Sequence, residues 1–385
     1  NTVAAFREMG VTIIGPESGE MTIYGVGKQG LKAPRKPLYM GNSGTAMRLL
    51  AGLLAAQPFD SVLTGDESLS SRPMNRIAGP LREMGAQIDT DSDGTPPLRI
   101  TGRPLRGIKY DMPMASAQVK SCLLLAGLYA EGVTTVSEPA PCRDHTERML
   151  AGFAYSLERD PARGTCSLVG GQALQATDID VPADISSAAF FLVAAAICPG
   201  SNLLLEHVGV NPTRTGVINL LRAMGADIVL SNERLVGGEP VADLTIQYRP
   251  LKGIEIPPDQ IPLAIDEFPV LFIAAACAEG ETVLHGAEEL RVKESDRIDA
   301  MAKGLEQLGI ATEVFADGIR IVGGKLGGGT IDSLGDHRIA MAFAVSALRA
   351  ESAVTITNVA NVATSFPDFV ELASRAGIKI SMVSE

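Results

Sequence analysis

One short phrase returns along the whole chain, and it limits the available folds more than any other feature. It reads Phe6-Arg7-Glu8-Met9-Gly10-Val11, then Leu81-Arg82-Glu83-Met84-Gly85-Ala86, then Leu221-Arg222-Ala223-Met224-Gly225-Ala226. Weaker copies stand at 305–310 and 372–378, and a degenerate one at 149–157. Each predicts the end of an amphipathic helix, a Gly just beyond it, and an alternating strand such as Gln87-Ile88-Asp89.

A second phrase lies between the copies: a small or polar start followed by a long apolar stretch. It opens at Asn42-Ser43-Gly44-Thr45, Ala115-Ser116-Ala117-Gln118, Asp184-Ile185-Ser186-Ser187, Asp266-Glu267-Phe268-Pro269 and Asp336-His337-Arg338-Ile339. The stretches are apolar nearly all round, as in Leu123-Leu124-Leu125-Ala126, so they predict helices buried inside a domain. The period is roughly 70–80 residues, a supersecondary unit larger than a solenoid repeat. Five copies are present, and the chain begins at Asn1 inside a predicted helix over 2–9. The expectation is therefore six units in two domains of three, the first lacking its beginning. The crossover is expected near Val181-Pro182-Ala183-Asp184, giving lobes 1–183 and 184–385. The fold class is α/β, with buried helix N-termini facing an interdomain cleft. Such ends suit anions, because free N–H groups and helix dipoles point at the ligand. Taken singly, Ser43, Ser116, Ser186 and Asp336 read equally well as plain N-caps.

Charge narrows the partners. The formal net charge of −12 argues against nucleic acid and anionic membranes, while leaving room for a cationic cleft on an acidic body. Five cysteines without CxxC spacing suit a reduced, cytoplasmic setting. The apolar run 188–198 is too short to span a membrane. The four histidines have no metal-ligand spacing, so no metal is expected. No Walker-type loop is present, and the glycine-rich 323–329 follows a predicted strand, which reads as a flexible turn.

The densest charged segment is Leu290-Arg291-Val292-Lys293-Glu294-Ser295-Asp296-Arg297. If it opens a helix, Lys293 and Arg297 share a face and Glu294 lies against Arg297. Arg72 stands in a turn before Pro73. Arg338 sits in the first turn of a buried helix, where a cation opposes the dipole unless an anion lies between. Asp266 opens the apolar run that follows it, as an N-cap or as a base in a low-dielectric cleft. Lys120 and Arg143 read as structural or rim residues.

These segments resemble the enolpyruvyl transferases, specifically the 5-enolpyruvylshikimate-3-phosphate synthases. The resemblance rests on Gly41-Asn42-Ser43-Gly44-Thr45-Ala46-Met47-Arg48, Leu69-Ser70-Ser71-Arg72-Pro73-Met74, Met114-Ala115-Ser116-Ala117-Gln118-Val119-Lys120-Ser121, Arg291-Val292-Lys293-Glu294-Ser295-Asp296-Arg297, Asp336-His337-Arg338-Ile339-Ala340-Met341 and Ser365-Phe366-Pro367. It spans the chain in the family's order. It implies an inside-out barrel of βαβαββ units in two domains. It implies transfer of the enolpyruvyl group of phosphoenolpyruvate to the 5-hydroxyl of shikimate 3-phosphate, without metal or organic cofactor. Ser116, Gln118, Arg143, Asp266 and Lys293 resemble the shikimate 3-phosphate ligands. Gly44, Arg72, Gln118, Arg297 and Arg338 resemble the phosphoenolpyruvate clamp. Asp266 resembles the proton acceptor and Glu294 the proton donor to the methylene carbon. The partners implied are these two small anions, acting on a monomer.

The chain departs from the family in places. The early Asp-Lys-Ser…His-Arg motif is absent, Thr364 stands where many members have Lys, and Ala117 stands where others have Ser. Arg48-Leu49 and the Met114–Ser121 segment resemble the bacterial class II branch. UDP-N-acetylglucosamine enolpyruvyl transferases share the fold but usually carry a cysteine in the loop matching 66–76, and here there is none. A rival of another class is a non-catalytic ligand-binding fragment.

Overall fold

The recurring Gly sets the local geometry on which the rest is built. The computed structural model describes residues 1–383. Gly10, Gly85, Gly225, Gly309 and Gly377 have φ of 86°, 98°, 101°, 86° and 93°. At each, the Gly N–H bonds the carbonyl three residues back and the next N–H bonds the one five back. At Gly85 both distances, to Arg82 and from Ala86 to Leu81, are 2.9 Å. This double bond caps the helix and starts the strand. The Arg of the phrase then ties the two together. Arg7, Arg82 and Arg222 donate through Nη2 to the carbonyls of Ile13, Ile88 and Ile228 at 2.9, 2.7 and 2.8 Å. In the degenerate copy, Ala154 takes the Gly place with φ 58° and makes the same pair of bonds.

Each of the first four repeats with a buried helix runs strand, buried helix, parallel strand, amphipathic helix, then two strands of an antiparallel ladder. In the first complete copy, Leu38–Tyr39 pairs parallel with Asp60–Thr64, which pairs antiparallel with Leu98–Thr101, which pairs with Gln87–Asp89. The second copy repeats this order with Lys109–Asp111, Val133–Ser137, Thr165–Val169 and Leu157–Asp160. In the third and fourth the first strand shrinks to single parallel bridges, Ala183 to Val208 and Glu255 to Val283. In the fifth, Gly329–Asp332 pairs parallel with Val354–Thr357.

The chain divides after Ile179, four residues before the expected crossover. The reason is that the intervening segment is bonded to the second unit: Asp180 meets His207 Nε2 at 3.1 Å, and the Ala183 N–H reaches the His207 carbonyl at 2.8 Å. Each unit has its own core. In the first, helix Gly44–Ala55 lies on helix Ala117–Gly127, so close that a methyl at Gly52 would sit 2.1 Å from the Cys122 carbonyl. In the second, helices Ile185–Ile197, Phe268–Ala276 and His337–Ser346 pack on one another. The sheets cover them, with Ile319 and Ile321 turned in and Arg320 turned out to Glu281 and Glu313. This is a two-domain α/β fold with helices inside and strands outside. No helix among the described residues is long and apolar enough to cross a membrane.

The stretch 323–329 is not the loose turn its glycines suggest. The N–H groups of Gly323 and Gly324 bond the Gly280 and Ala276 carbonyls, both at 2.9 Å. A methyl at Gly323 would lie 1.7 Å from the Ala278 carbonyl, so glycine is required there for close packing.

Candidate functional site

Neighbouring parallel strands end on the same edge of a sheet, and the loops leaving that edge gather polar groups. In each of the five repeats with a buried helix the first such loop leads into that helix, and in the first four the second leads to an arginine. Arg72, Arg143, Arg214 and Arg297 follow strands Asp60–Thr64, Val133–Ser137, Asn202–Gly209 and Glu281–Leu284.

In the first unit, Ser43 caps helix Gly44–Ala55 by accepting from the Ala46 N–H at 3.1 Å. Gly44 is therefore the first helical residue, and Arg48 lies one turn on. Arg48 is buried. Its Nη1 donates to Gln118 Oε1 at 2.5 Å and its Nη2 to the Pro73 carbonyl at 3.1 Å. The Gln118 amide donates in turn to Thr45 Oγ1 at 2.8 Å. Arg72 reaches Asn42 Oδ1 and Ser68 Oγ, both at 3.5 Å. Burial pushes the Arg48 pKa down to about 10, and the charges of Arg76 and Arg72 add to the effect. Cations that repel each other in this way favour a bound anion. Ser116 caps its helix as expected, accepting from the Val119 N–H at 3.4 Å.

Arg143 lies two residues before helix His145–Gly152, on the loop from the strand beside the one that leads to Ser116. Lys120, a structural residue as expected, ties that loop to the Ser116 helix. It is buried and bonds Glu138 at 2.8 Å and Glu147 at 2.7 Å. Burial opposes its charge, but Glu147, Cys142 and Glu138 raise its pKa above the usual lysine value.

In the second unit the charged segment is arranged differently from the sequence expectation. The helix begins at Arg297, because Asp296 caps it by accepting from the Asp299 N–H at 3.1 Å. Lys293 is extended, just past the short turn Glu288–Val292, so it shares no helical face with Arg297. The Glu294–Arg297 pairing is present at 2.7 Å. Arg297 is 1% exposed and lies among three carboxylates: Asp336 at 2.8 Å, Glu294 at 2.7 Å and Asp266 at 3.8 Å. Burial works against its charge, yet these carboxylates raise its pKa. Burial likewise works against Asp336, but Arg297 holds its pKa below the ordinary value. Lys293 meets Asp266 at 3.5 Å and Glu289 at 2.6 Å.

Two cap readings change and one holds. Asp266 is not a cap. Glu267 occupies that position without a side-chain cap bond, and Asp266 turns to Lys293 and Arg297. Ser186 is not a cap either. Asp184 takes that role, accepting from the Ser186 N–H at 3.2 Å, and the Ser186 hydroxyl donates to Glu267. Asp336 does cap its helix, accepting from the Arg338 N–H at 2.9 Å. The anion that Arg338 needs is partly internal. Its Nη1 lies 3.5 Å from Glu267 and donates to the Asp266 carbonyl at 2.9 Å.

Arg48, Glu267 and Arg214 escape a reading made motif by motif. Arg214 had a usable signal, since it stands in the repeat where Arg72, Arg143 and Arg297 stand. Ser365-Phe366-Pro367 is chiefly a packing element: Phe366 meets Phe191 edge-on at 6.2 Å and Phe369 at 5.7 Å. Among the described residues no cluster of three or more His, Cys, Asp or Glu could hold a metal ion.

Comparison with known proteins places these observations. The family model for EPSP synthase (3-phosphoshikimate 1-carboxyvinyltransferase) matches residues 1–372. The 3-phosphoshikimate 1-carboxyvinyltransferase of Methylococcus capsulatus is 65% identical over 99% of this chain and 87% of its own length. That of Nitrosococcus oceani is 63% identical over 98% and 85%. The solved EPSP synthase from Acinetobacter baumannii is 61% identical with a TM-score of 0.92, covering 99% of this chain and 88% of that one. The enolpyruvyl transferase NikO from Streptomyces tendae, at 19% identity and a TM-score of 0.76 over 99% and 87%, shares the fold. The chain belongs to the EPSP synthase family.

Proposed function

We propose that this protein transfers the enolpyruvyl group of phosphoenolpyruvate to the 5-hydroxyl of shikimate 3-phosphate and releases phosphate. The observation that carries the reading is the setting of Arg297, which holds Glu294 and faces Asp266 beside Lys293. A prospective acid, a prospective base and two cations are thereby gathered within one unit.

The second unit supplies the proton chemistry. Arg297 and Arg338 bind phosphoenolpyruvate and Lys293 binds shikimate 3-phosphate. Phosphoenolpyruvate competes with Glu294 for Arg297. Once displaced, the Glu294 carboxyl is free to carry the proton that goes to the methylene carbon. The adjacent carbon becomes cationic, the 5-hydroxyl attacks it, and Asp266 takes the hydroxyl proton. The C–O bond to phosphate then breaks, phosphate leaves with that electron pair, and one methyl proton returns to the Glu294 carboxylate, which gives the enol ether. Bonds and protons balance without a cofactor.

The first unit supplies anion recognition. Ser116, Gln118 and Arg143 bind shikimate 3-phosphate. Arg72, Gln118 and the backbone at Gly44 bind phosphoenolpyruvate. Arginines suit this task because the guanidinium fork matches carboxylate and phosphate oxygens. The protein acts as a cytoplasmic monomer on these small anions, with neither nucleic acid nor membrane as partner.

Glu294→Gln keeps the size of the side chain and removes its proton. In the full-length protein turnover should fall by roughly 10²–10⁴ with both KM values largely kept. Asp266→Asn should behave alike. Near-normal turnover of the Glu294 variant, or phosphate release that follows UDP-N-acetylglucosamine rather than shikimate 3-phosphate, would reject the reading.

A further inference from the structure

Arg214 stands at the repeat position of three arginines assigned to substrate, yet its guanidinium is turned inward. Its Nη2 forms an ion pair with Asp184 Oδ1 at 2.9 Å and donates to Ser186 Oγ at 2.6 Å. The Ser186 hydroxyl, having accepted that bond, donates its own hydrogen to Glu267 Oε1. The same Oε1 lies 3.5 Å from Arg338 Nη1, which also donates to the Asp266 carbonyl at 2.9 Å. Ser186 is 3% exposed and Glu267 is 2% exposed. The chain thus runs Asp184, Arg214, Ser186, Glu267, Arg338, Asp266, and it laces the N-terminal ends of the three buried helices of this unit.

The physics of each link points one way. A carboxylate this buried is costly unless it is paired and hydrogen-bonded. Glu267 leaves its own helix end uncapped and serves Ser186 and Arg338 instead. Arg338, in the positive first turn of helix His337–Ser346, needs a nearby anion to stay in place. A carboxylate beside an anion-binding arginine reduces the bare attraction for substrate. What it adds is a fixed guanidinium, so less freedom is lost on binding.

We propose that Glu267 is a positioning residue, held by Ser186 and Arg214, that fixes the Arg338 guanidinium for phosphoenolpyruvate and the Asp266 backbone beside it. This rests on the reading of Arg338 given above. A hydrogen-bonded charge buried in this way couples strongly to its partner, so its loss appears in substrate affinity.

The test is steady-state kinetics on the full-length protein, with phosphoenolpyruvate varied at saturating shikimate 3-phosphate. Glu267→Gln should raise KM for phosphoenolpyruvate by about tenfold, change kcat by less than about threefold and leave KM for shikimate 3-phosphate within about twofold. Ser186→Ala should move KM in the same direction by about threefold, and the double variant should equal Glu267→Gln alone, because one chain links the two. A purely structural role would instead lower kcat with the active fraction and leave KM in place. Arg338→Ala is the reference. If it raises KM while Glu267→Gln and Ser186→Ala stay within twofold, the positioning role is wrong. If Arg338→Ala itself leaves KM unchanged, the assignment of Arg338 falls first. Should Glu267→Gln fail to fold, Ser186→Ala decides alone.

Discussion

At the scale of single residues, Gly44 shows how much a local geometry decides. A methyl added there would lie 3.3 Å from Arg48 Nη1, 3.5 Å from Arg72 Nη1 and 3.6 Å from Leu69 Cδ1. The backbone tolerates alanine at this helical position, so the fold should hold. The Arg48 guanidinium must yield by a few tenths of an ångström, and it carries Gln118 with it. Glyphosate, which in this family competes with phosphoenolpyruvate and is slightly longer, should lose more than the substrate. Overpacking typically costs roughly 1–3 kcal/mol. The ratio of glyphosate inhibition constant to phosphoenolpyruvate KM should therefore rise in Gly44→Ala; an unchanged ratio removes the steric argument. Gly44 was legible in the sequence as part of a motif. Arg48 closes the same motif, but its role was not legible, because that role comes from burial and from Gln118, 70 positions away. A second residue-scale prediction concerns Asp336, fully buried against Arg297. Its folded pKa lies below the ordinary 3.8, so its contribution is present above that value and is lost as pH falls through the folded one. Asp336→Asn should cost up to about 3 kcal/mol at neutral pH, since it removes one of three carboxylates from a buried arginine and leaves Glu294 and Asp266. Denaturant melts should show that gap closing in acid, and a gap independent of pH would contradict the assignment.

At the scale of elements, the helix ends carry the repeat. The Gly at each C-terminal turn was legible because only a residue comfortable at positive φ fits there. The degenerate copy is the exception, since Ala154 holds φ 58°. A non-glycine residue in this region pays roughly 1–2 kcal/mol, partly offset by the unfolded-state entropy a glycine adds. Ala154→Gly should therefore stabilise the protein by up to about 1 kcal/mol, seen as a higher Tm with unaltered kinetics. A lower Tm would mean that the methyl packs usefully. The charged segment before helix Arg297–Gln307 was read one turn too early. Charge spacing alone does not locate a helix start, and the cap at Asp296 outweighs the i, i+4 pattern of Lys293 and Arg297.

At the scale of the molecule, two cores support two units. Phe343, fully buried in the second, touches the space at Gly304, where an added methyl would lie 2.2 Å from its ring. Phe343→Ala should cost about 3–5 kcal/mol. Calorimetry should then show one transition moved down and the other left in place; a single transition that shifts as a whole would show that the units unfold together. The repeated plan was legible because hydrophobic period and glycine position recur in register. Chemistry within it was legible only where a family motif marked it. Arg214 and Glu267 lie outside any motif singled out for chemistry, and their partners are 28 and 71 or more positions distant along the chain.

The parallel strands divide each repeat into two ends with different duties. The loops that lead into the buried helices leave from one end, while the glycine turns, with Arg7, Arg82 and Arg222 bound across them, close the other. A mutant library grown under selection for this activity should register this division as temperature. At a permissive temperature only the loop-end positions should be intolerant to change. Near the upper growth limit the turn-end positions should join them, because what they lose is heat tolerance, which cool growth does not demand.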